Sequence, residues 1–256
     1  MAKFLLEQII GTSALLNGVA VPGRSIEAAL SRHTFNVFVA NDDVQYSILL
    51  RGSGTAIRFD GHELLLCTQH QLAGADRQKV GMITEGGRTM VTSGGMRYYT
   101  PTTDTDRNDL VAFNFDEPVR AYPELKPRFF NLGMQRPLDR EVVGVLLIGC
   151  ATADQLYDVY DNNHIGLARR SVVCKPDPAF PADTATLRVI PRTPLSIDPD
   201  GMSGGSAFLV YDGVDGFEVA FGGIIVRGGR DSFTVLKAGI VIDFLESIVT
   251  AWRGDL

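Results

Sequence analysis

The sequence predicts an all-β protein: two six-stranded antiparallel β-barrels in tandem, one C-terminal helix, and a short helical extension ahead of the first barrel. Three observations carry this. From His33 onward the apolar residues come in short runs broken by Gly, Asp and Asn, the pattern of many short strands with frequent turns. The runs form two sets, separated by a stretch between Asp116 and Arg140 that gathers Pro118, Pro123, Pro127 and Pro137. The last stretch, Ile242 to Trp252, changes period: Ile242, Leu245, Ile248, Val249 and Trp252 share one helical face, with Asp243 and Glu246 placing negative charge near the N-terminus.

Taken in order, residues 1–31 read as helical. Leu5, Leu6, Ile9 and Ile10 recur at helical spacing, and Ser25 is placed to cap a helix through Leu30. The first barrel is expected over 32–120, with strands at Phe35 to Ala40, Tyr46 to Leu50, Thr55 to Phe59, Glu63 to Thr68, Lys79 to Thr84, Thr89 to Thr92, Met96 to Thr100 and Leu110 to Phe115. Asp60-Gly61 is the pair a two-residue hairpin needs, because both turn positions require positive φ, and Gly86-Gly87 joins the next pair of runs. Residues 121–140 read as a linker. The second barrel and terminal helix take 141–256, with strands at Val142 to Ile148, Ile165 to Cys174, Ala185 to Ile190, Ser206 to Tyr211, Phe217 to Val226 and Ser232 to Val241.

Composition narrows the function classes. The chain has 256 residues, 45% hydrophobic and 21% charged, an ordinary globular balance with enough length for a sizeable core. A net charge of −6 and the absence of any Lys/Arg run argue against a nucleic-acid surface. The apolar stretch Phe4 to Val21 is interrupted by Glu7, Gln8 and Asn17, which makes it a poor secretory signal, and no window reads as a membrane span. Cys67, Cys150 and Cys174 are too few and too spread for a disulfide framework. A reducing, cytoplasmic setting is the expectation. Four histidines, His33, His62, His70 and His164, show no metal-ligand spacing, so no metal or cofactor is expected.

The chemistry gathers at Gly201-Met202-Ser203-Gly204-Gly205-Ser206, just before the apolar run Ala207-Phe208-Leu209-Val210. Glycines around a serine let the backbone turn sharply and aim its amides at one point. Alone, such a string is more often a hairpin turn. His70 follows Leu64-Leu65-Leu66-Cys67-Thr68, a buried strand, and would be held rigidly at a barrel mouth as a general base suits; His33, His62 and His164 read as surface or turn residues. Asp109 immediately precedes Leu110-Val111-Ala112-Phe113, where a carboxylate can orient an imidazole; Asp104 and Asp106 compete from a polar loop.

The order His70, Asp109, Ser203 is far more specific than any one of them. With Gly52-Ser53-Gly54-Thr55-Ala56-Ile57, Thr68-Gln69-His70, Asn108-Asp109-Leu110-Val111-Ala112, Gly201-Met202-Ser203-Gly204-Gly205 and Gly222-Gly223-Ile224-Ile225-Val226, the chain from about Phe35 to Trp252 resembles the trypsin-like (chymotrypsin-fold) serine peptidases. The resemblance implies acyl transfer. Ser203 would attack a peptide carbonyl, His70 would carry its proton to the leaving amine, Asp109 would orient His70, and the amides of Gly201 and Ser203 would form the oxyanion hole. It also places the floor of the specificity pocket at Ile197, with Val226, Arg227 and Gly228 as wall and peptide-pairing edge. Ile197 suggests an apolar pocket, while Asp198 and Asp200 would favour a basic substrate residue after a small loop shift.

Departures from the family matter too. Met202 stands where digestive members carry the acid that pairs with a freed N-terminus, so that activation route is missing. Gln71 replaces a cysteine after the histidine, and Ser206 replaces a proline. Control is therefore expected from the loop around Ser203, from residues 1–31, or from an activating or inhibiting protein partner; the substrate is expected to be protein or peptide. A catalytically silent peptide-binding module on the same fold is the alternative. An α/β-hydrolase reading fails, because that fold needs the serine before a helix and the histidine last.

Overall fold

A computed structural model describes residues 13–43, 47–84, 89–98, 106–134, 140–158, 164–181, 183–213 and 216–254. Its strands are β1 (Ser13–Leu16), β2 (Val19–Pro22), β3 (Thr34–Ala40), β4 (Ile48–Phe59), β5 (His62–Thr68), β6 (Val80–Ile83), β7 (Met90–Thr92), β8 (Gly95–Tyr98), β9 (Leu110–Asn114), β10 (Phe130–Asn131), β11 (Val142–Gly149), β12 (Leu156–Asp158), β13 (His164–Gly166), β14 (Arg170–Pro176), β15 (Thr186–Pro191), β16 (Ser206–Gly213), β17 (Gly216–Gly228) and β18 (Phe233–Lys237). The α-helices are α1 (Ile26–Ser31), α2 (Asp116–Ala121) and α3 (Ala238–Gly254).

The second half closes on itself. Strands run β16-β11-β14-β15-β18-β17, and β17 pairs back onto β16, giving a closed six-stranded antiparallel barrel. The first half is a curled sheet ordered β7-β6-β3-β4-β5-β9-β8, with the short β10 alongside β4; among the described residues β7 and β8 do not pair, so it is a half-barrel rather than the expected closed one. β5 ends at Thr68 and β9 begins at Leu110, as the sequence placed these two strand ends beside His70 and Asp109. Asp60 and Gly61 take φ of 50° and 86°, the left-handed turn that joins β4 to β5 in antiparallel register.

Three apolar clusters hold the two halves. One fills the curled sheet, with Val37, Leu65, Val111 and Phe113, and one fills the closed barrel, with Leu147, Val189, Ile225 and Val235. The third lies between them, where Ile57, Leu64 and Leu66 meet Phe208, Ile224 and the inner face of α3. Phe130, Phe208 and Phe221 pack there at ring separations of 5.4 and 6.1 Å, close to edge-to-face for two of the three pairs. This shared core fixes one half against the other, which is what a site assembled from both requires.

Further expectations need correction: the run Ile165 to Cys174 is divided between β13 and β14, and Ala238 to Val241 open α3 rather than end β18. Over 13–22 the N-terminal segment is a hairpin, not a helix: Asn17-Gly18 turns with φ of 50° and 76°, and β1 adds parallel to β17, extending the barrel sheet. The Asn-Gly turn signal decides the local structure here. Only Ile26–Ser31 is α-helical, and the residues of the 1–12 pattern lie outside the described residues. The two runs Tyr46 to Leu50 and Thr55 to Phe59 are one long strand, β4, passing through Gly52-Ser53-Gly54. The proline-bearing stretch carries α2, a 3-10 turn over Pro123–Arg128 and β10, and its Val119, Leu125, Phe129, Phe130 and Leu132 are all core residues. Gly86-Gly87, Asp104 and Pro137 lie outside the described residues.

Candidate active site

Strand pairing brings His70 to Asp109. β5 and β9 are antiparallel with Thr68 opposite Leu110, and the ladder continues one step as Gln69 N donates to Asp109 O at 3.2 Å. His70 then sits diagonally across from Asp109. Both carboxylate oxygens are used: His70 N donates to Oδ1 at 3.0 Å, and the imidazole Nδ1 lies 2.6 Å from Oδ2. The hydrogen bond to Asp109 raises the His70 pKa above its ordinary value, burial opposes it, the Asp109 charge adds to it, and Arg227 and Asp106 act in opposite directions. Asp106 does not compete for the histidine; its Oδ1 takes Arg227 Nε at 2.6 Å.

Ser203 arrives from the other half. Its carbonyl accepts from Ser53 N at 3.2 Å and from Gln71 Nε2 at 2.7 Å. The neighbouring carbonyls are held by the same sheet: Gly201 O accepts Ser53 Oγ at 2.6 Å, and Gly204 O accepts Thr55 Oγ1 at 2.9 Å. Ser53 Oγ in turn accepts Cys150 N at 2.7 Å, so one buried hydroxyl links β4 to two segments of the barrel. The amides divide cleanly. Met202 N, Gly204 N and Gly205 N donate to Pro199 O, Ile225 O and Met202 O. Among the described residues, the amides of Gly201 and Ser203 have no such acceptor, and these are the two that the resemblance assigns to an oxyanion hole. Asp200 O is fixed by Thr152 N at 2.8 Å, which sets the plane of the peptide bearing the Gly201 N–H.

Gly201 and Gly204 have φ of 86° and 81°, and neither has room for a side chain. A Cβ at Gly201 would lie 2.6 Å from Thr152 Oγ1 and 2.8 Å from Cys150 O, and one at Gly204 would overlap Ser53 O. Gly61 is also left-handed, at 86°, but a Cβ there meets nothing within 4 Å. The pair of substitutions therefore separates strain from overlap. Gly61→Ala is expected to cost about 1–2 kcal/mol through the backbone alone, and Gly204→Ala about 1–3 kcal/mol more through overpacking. Urea unfolding midpoints of the two variants check the difference.

Ser203 Oγ donates to Val226 O at 3.4 Å and, among the described residues, makes no hydrogen bond to His70. Val226 itself is buried in the core between the halves, so what it offers the site is its carbonyl. Arg227 is exposed beside it, and Gly228 packs where a Cβ would press on the Phe233 ring. Ile197 is partly buried against the barrel's own core. Asp198 and Asp200 have local partners, Asp200 N and Thr152 Oγ1.

Met202 takes a different course from its polar surroundings. Its side chain is fully buried in the barrel core, against Gly149. Sequence reasoning noted what Met202 replaces but not what it does. Ser53, Thr55 and Gln71 were visible only as parts of a motif or as a replaced cysteine. Cys150, close to the loop, has its pKa pushed up to about 12 by burial and is no competing nucleophile.

The other histidines divide. His33 is buried rather than superficial, with Nδ1 2.7 Å from Arg128 O; burial lowers its pKa to about 4. His62 pairs with Asp116 at 2.7 Å and packs edge-on against Trp252, tying α3 to the β4–β5 turn. His164, expected in a loop, lies in β13.

No family model matches the sequence, and no curated protein matches it. Solved structures do. The chain is similar in structure to human heparin binding protein, at 11% identity and a TM-score of 0.53, over 87% of this chain and 93% of that one. A double mutant of the same human protein superposes with a TM-score of 0.56 at 12% identity, over the same shares. Likeness at that identity speaks to the fold, and the fold it shows is chymotrypsin-like: two β-rich halves and a C-terminal helix on a trypsin-like scaffold.

Proposed function

We propose that this chain is a serine endopeptidase acting on a restricted set of protein or peptide substrates. The observation that carries the reading is the coupling of the doubly bonded His70–Asp109 pair to a Ser203 loop whose carbonyls are tied down while, among the described residues, the amides of Gly201 and Ser203 stay uncommitted. In this reading a substrate carbonyl enters the space in front of those amides. Ser203 Oγ rotates from Val226 O toward His70 Nε2, gives up its proton there as it attacks, and the developing oxyanion is stabilised by the two N–H groups. The imidazolium formed is stabilised by Asp109, and its proton passes to the leaving amine. Water repeats the sequence to free the acyl group. Apo hydrogen bonds between such groups are often loose and tighten only with substrate.

The specificity residues Ile197, Val226, Arg227 and Gly228 remain part of the proposal, with Arg227 and Gly228 as the edge that pairs with substrate backbone. Control by a protein partner belongs to it as well. The three buried single thiols suit a reducing, cytoplasmic setting.

A second reading, a peptide-binding module without catalysis, is favoured by one feature: Ser203 Oγ is turned to Val226 O. The heparin-binding name of the structural neighbours does not carry over easily, since a net charge of −6 repels a polyanion. An active-site fluorophosphonate label decides between the readings. The peptidase is expected to label in the wild type and to lose all labelling in Ser203→Ala. A folded wild type that fails to label would sink the peptidase reading.

A further inference from the structure

Gln71 follows His70 directly, and its side chain runs from the histidine turn to the serine loop. Oε1 accepts from Thr68 N at 2.9 Å and from Thr68 Oγ1 at 2.6 Å. Nε2 faces three carbonyls: Ser203 O at 2.7 Å, Arg51 O at 3.0 Å and Ser53 O at 3.2 Å. The amide orientation follows from chemistry. One end sees a backbone N–H and a hydroxyl, the other sees only acceptors, so the oxygen and nitrogen cannot be exchanged. Three acceptors compete for two hydrogens, and the shortest contact is the one to the serine.

The neighbouring residue is shaped around this amide. Gly52, with φ of 99°, lies on β4 where any Cβ would overlap Gln71 Nε2 and come within 3.0 Å of Gly201 O. The peptide that Gln71 grips is pinned at both ends. Ser203 O is held by Gln71 and Ser53, and Gly204 N donates to Ile225 O at 2.7 Å. Fixing that plane fixes ψ of Ser203, and with it the origin of its side chain.

We propose that Gln71 is a positioning residue that sets the serine loop against the imidazole of the residue beside it, coupling the two halves through one primary amide. The proposal rests on the peptidase reading. It makes Gln71 act through Ser203, without touching substrate. No other side chain of its length does both jobs. A carboxylate would face three carbonyls, and an apolar chain would leave Thr68 N without its acceptor.

Gln71→Met keeps the length and removes the hydrogen bonds. It is expected to fold, to label with fluorophosphonate about a hundredfold more slowly, as misplacement of a reacting group does, and to lower kcat on a peptide substrate with KM nearly unchanged. Hydrogen exchange should quicken at Gly204 and Gly205 more than in β5 or β9. Gln71→Glu can donate only when protonated. Its unfolding midpoint, compared with wild type, should recover as the pH is lowered toward about 4, the range of a carboxyl group. Labelling by Gln71→Met within twofold of wild type, or exchange that quickens evenly across the molecule, would overturn the proposal. If Gln71→Met does not fold, loop exchange in Gln71→Glu at low against neutral pH takes its place, and equal protection at both would overturn it. A wild type that does not label would remove the peptidase reading, while the exchange measurement would still decide whether Gln71 holds the loop.

Discussion

Asp109→Asn is expected to lower kcat about ten-thousandfold, the loss seen when the carboxylate of such a triad becomes an amide and the imidazole is held in the wrong tautomer. Both interactions with His70 depend on that carboxylate, and its hydrogen bond is the largest cause of the raised histidine pKa. The pH profile should change with the rate. A general base must be neutral, so wild-type kcat/KM is expected to climb through a pKa above the ordinary 6.5 of histidine. In Asp109→Asn the raising causes are mostly gone, while burial and Arg227 still lower the value, so the residual activity should climb at lower pH. The stability linkage has the opposite sense. A raised histidine pKa adds stability that is complete below the unfolded value near 6.5 and is lost as the pH rises through the folded value. The wild type should thus lose a stability increment over the same window in which it gains activity. Steady-state kinetics and urea unfolding across pH 5 to 9 test both. A rate within tenfold of wild type would remove Asp109 from its assigned role.

The parts of the site that sit at strand ends were legible in the sequence. His70 and Asp109 each border a buried apolar run, and antiparallel pairing of those runs leaves little choice about where the two side chains meet. Ser203 was legible because glycine marks backbone that side chains cannot occupy, as the surroundings of Gly201 and Gly204 now show. The residues that were not legible act across the junction of the halves. Ser53, Thr55 and Gln71 lie 148, 149 and 132 positions from the loop residues they hold, and no local pattern encodes a bond over that separation. The N-terminal hairpin failed for another reason. Asn17-Gly18 is a strong turn signal, but the strands it joins are short, and the hairpin is anchored by pairing of β1 with the distant β17. In the proline-bearing stretch, prolines masked Phe130, whose ring meets Phe208 and Phe221 between the halves.

Placing an acid before the serine, in the position where trypsin-like serine peptidases carry one, should damage this chain rather than improve it. Met202 is buried without exposure in the barrel core, with Gly149 pressed against it. Apolar burial therefore holds the loop at Met202. Met202→Asp would place a carboxylate among the apolar side chains of that core, and a buried charge in such surroundings costs several kcal/mol or forces protonation. The expected result is a loss of about 3–5 kcal/mol in urea unfolding, of the size found when a buried charge has no partner, followed through the single tryptophan, Trp252. The sign with pH is fixed. A carboxyl whose folded pKa is raised binds its proton more tightly when folded, so the deficit should shrink as the pH falls through that value. Met202→Ala should cost about 2–5 kcal/mol by leaving a cavity, and Met202→Leu less than about 1.5 kcal/mol. The three variants order the alternatives: a loop held by packing predicts Leu above Ala, with Asp rising toward Ala at low pH. An Asp variant as stable and as readily labelled as wild type at neutral pH would mean that packing of Met202 does not hold the loop.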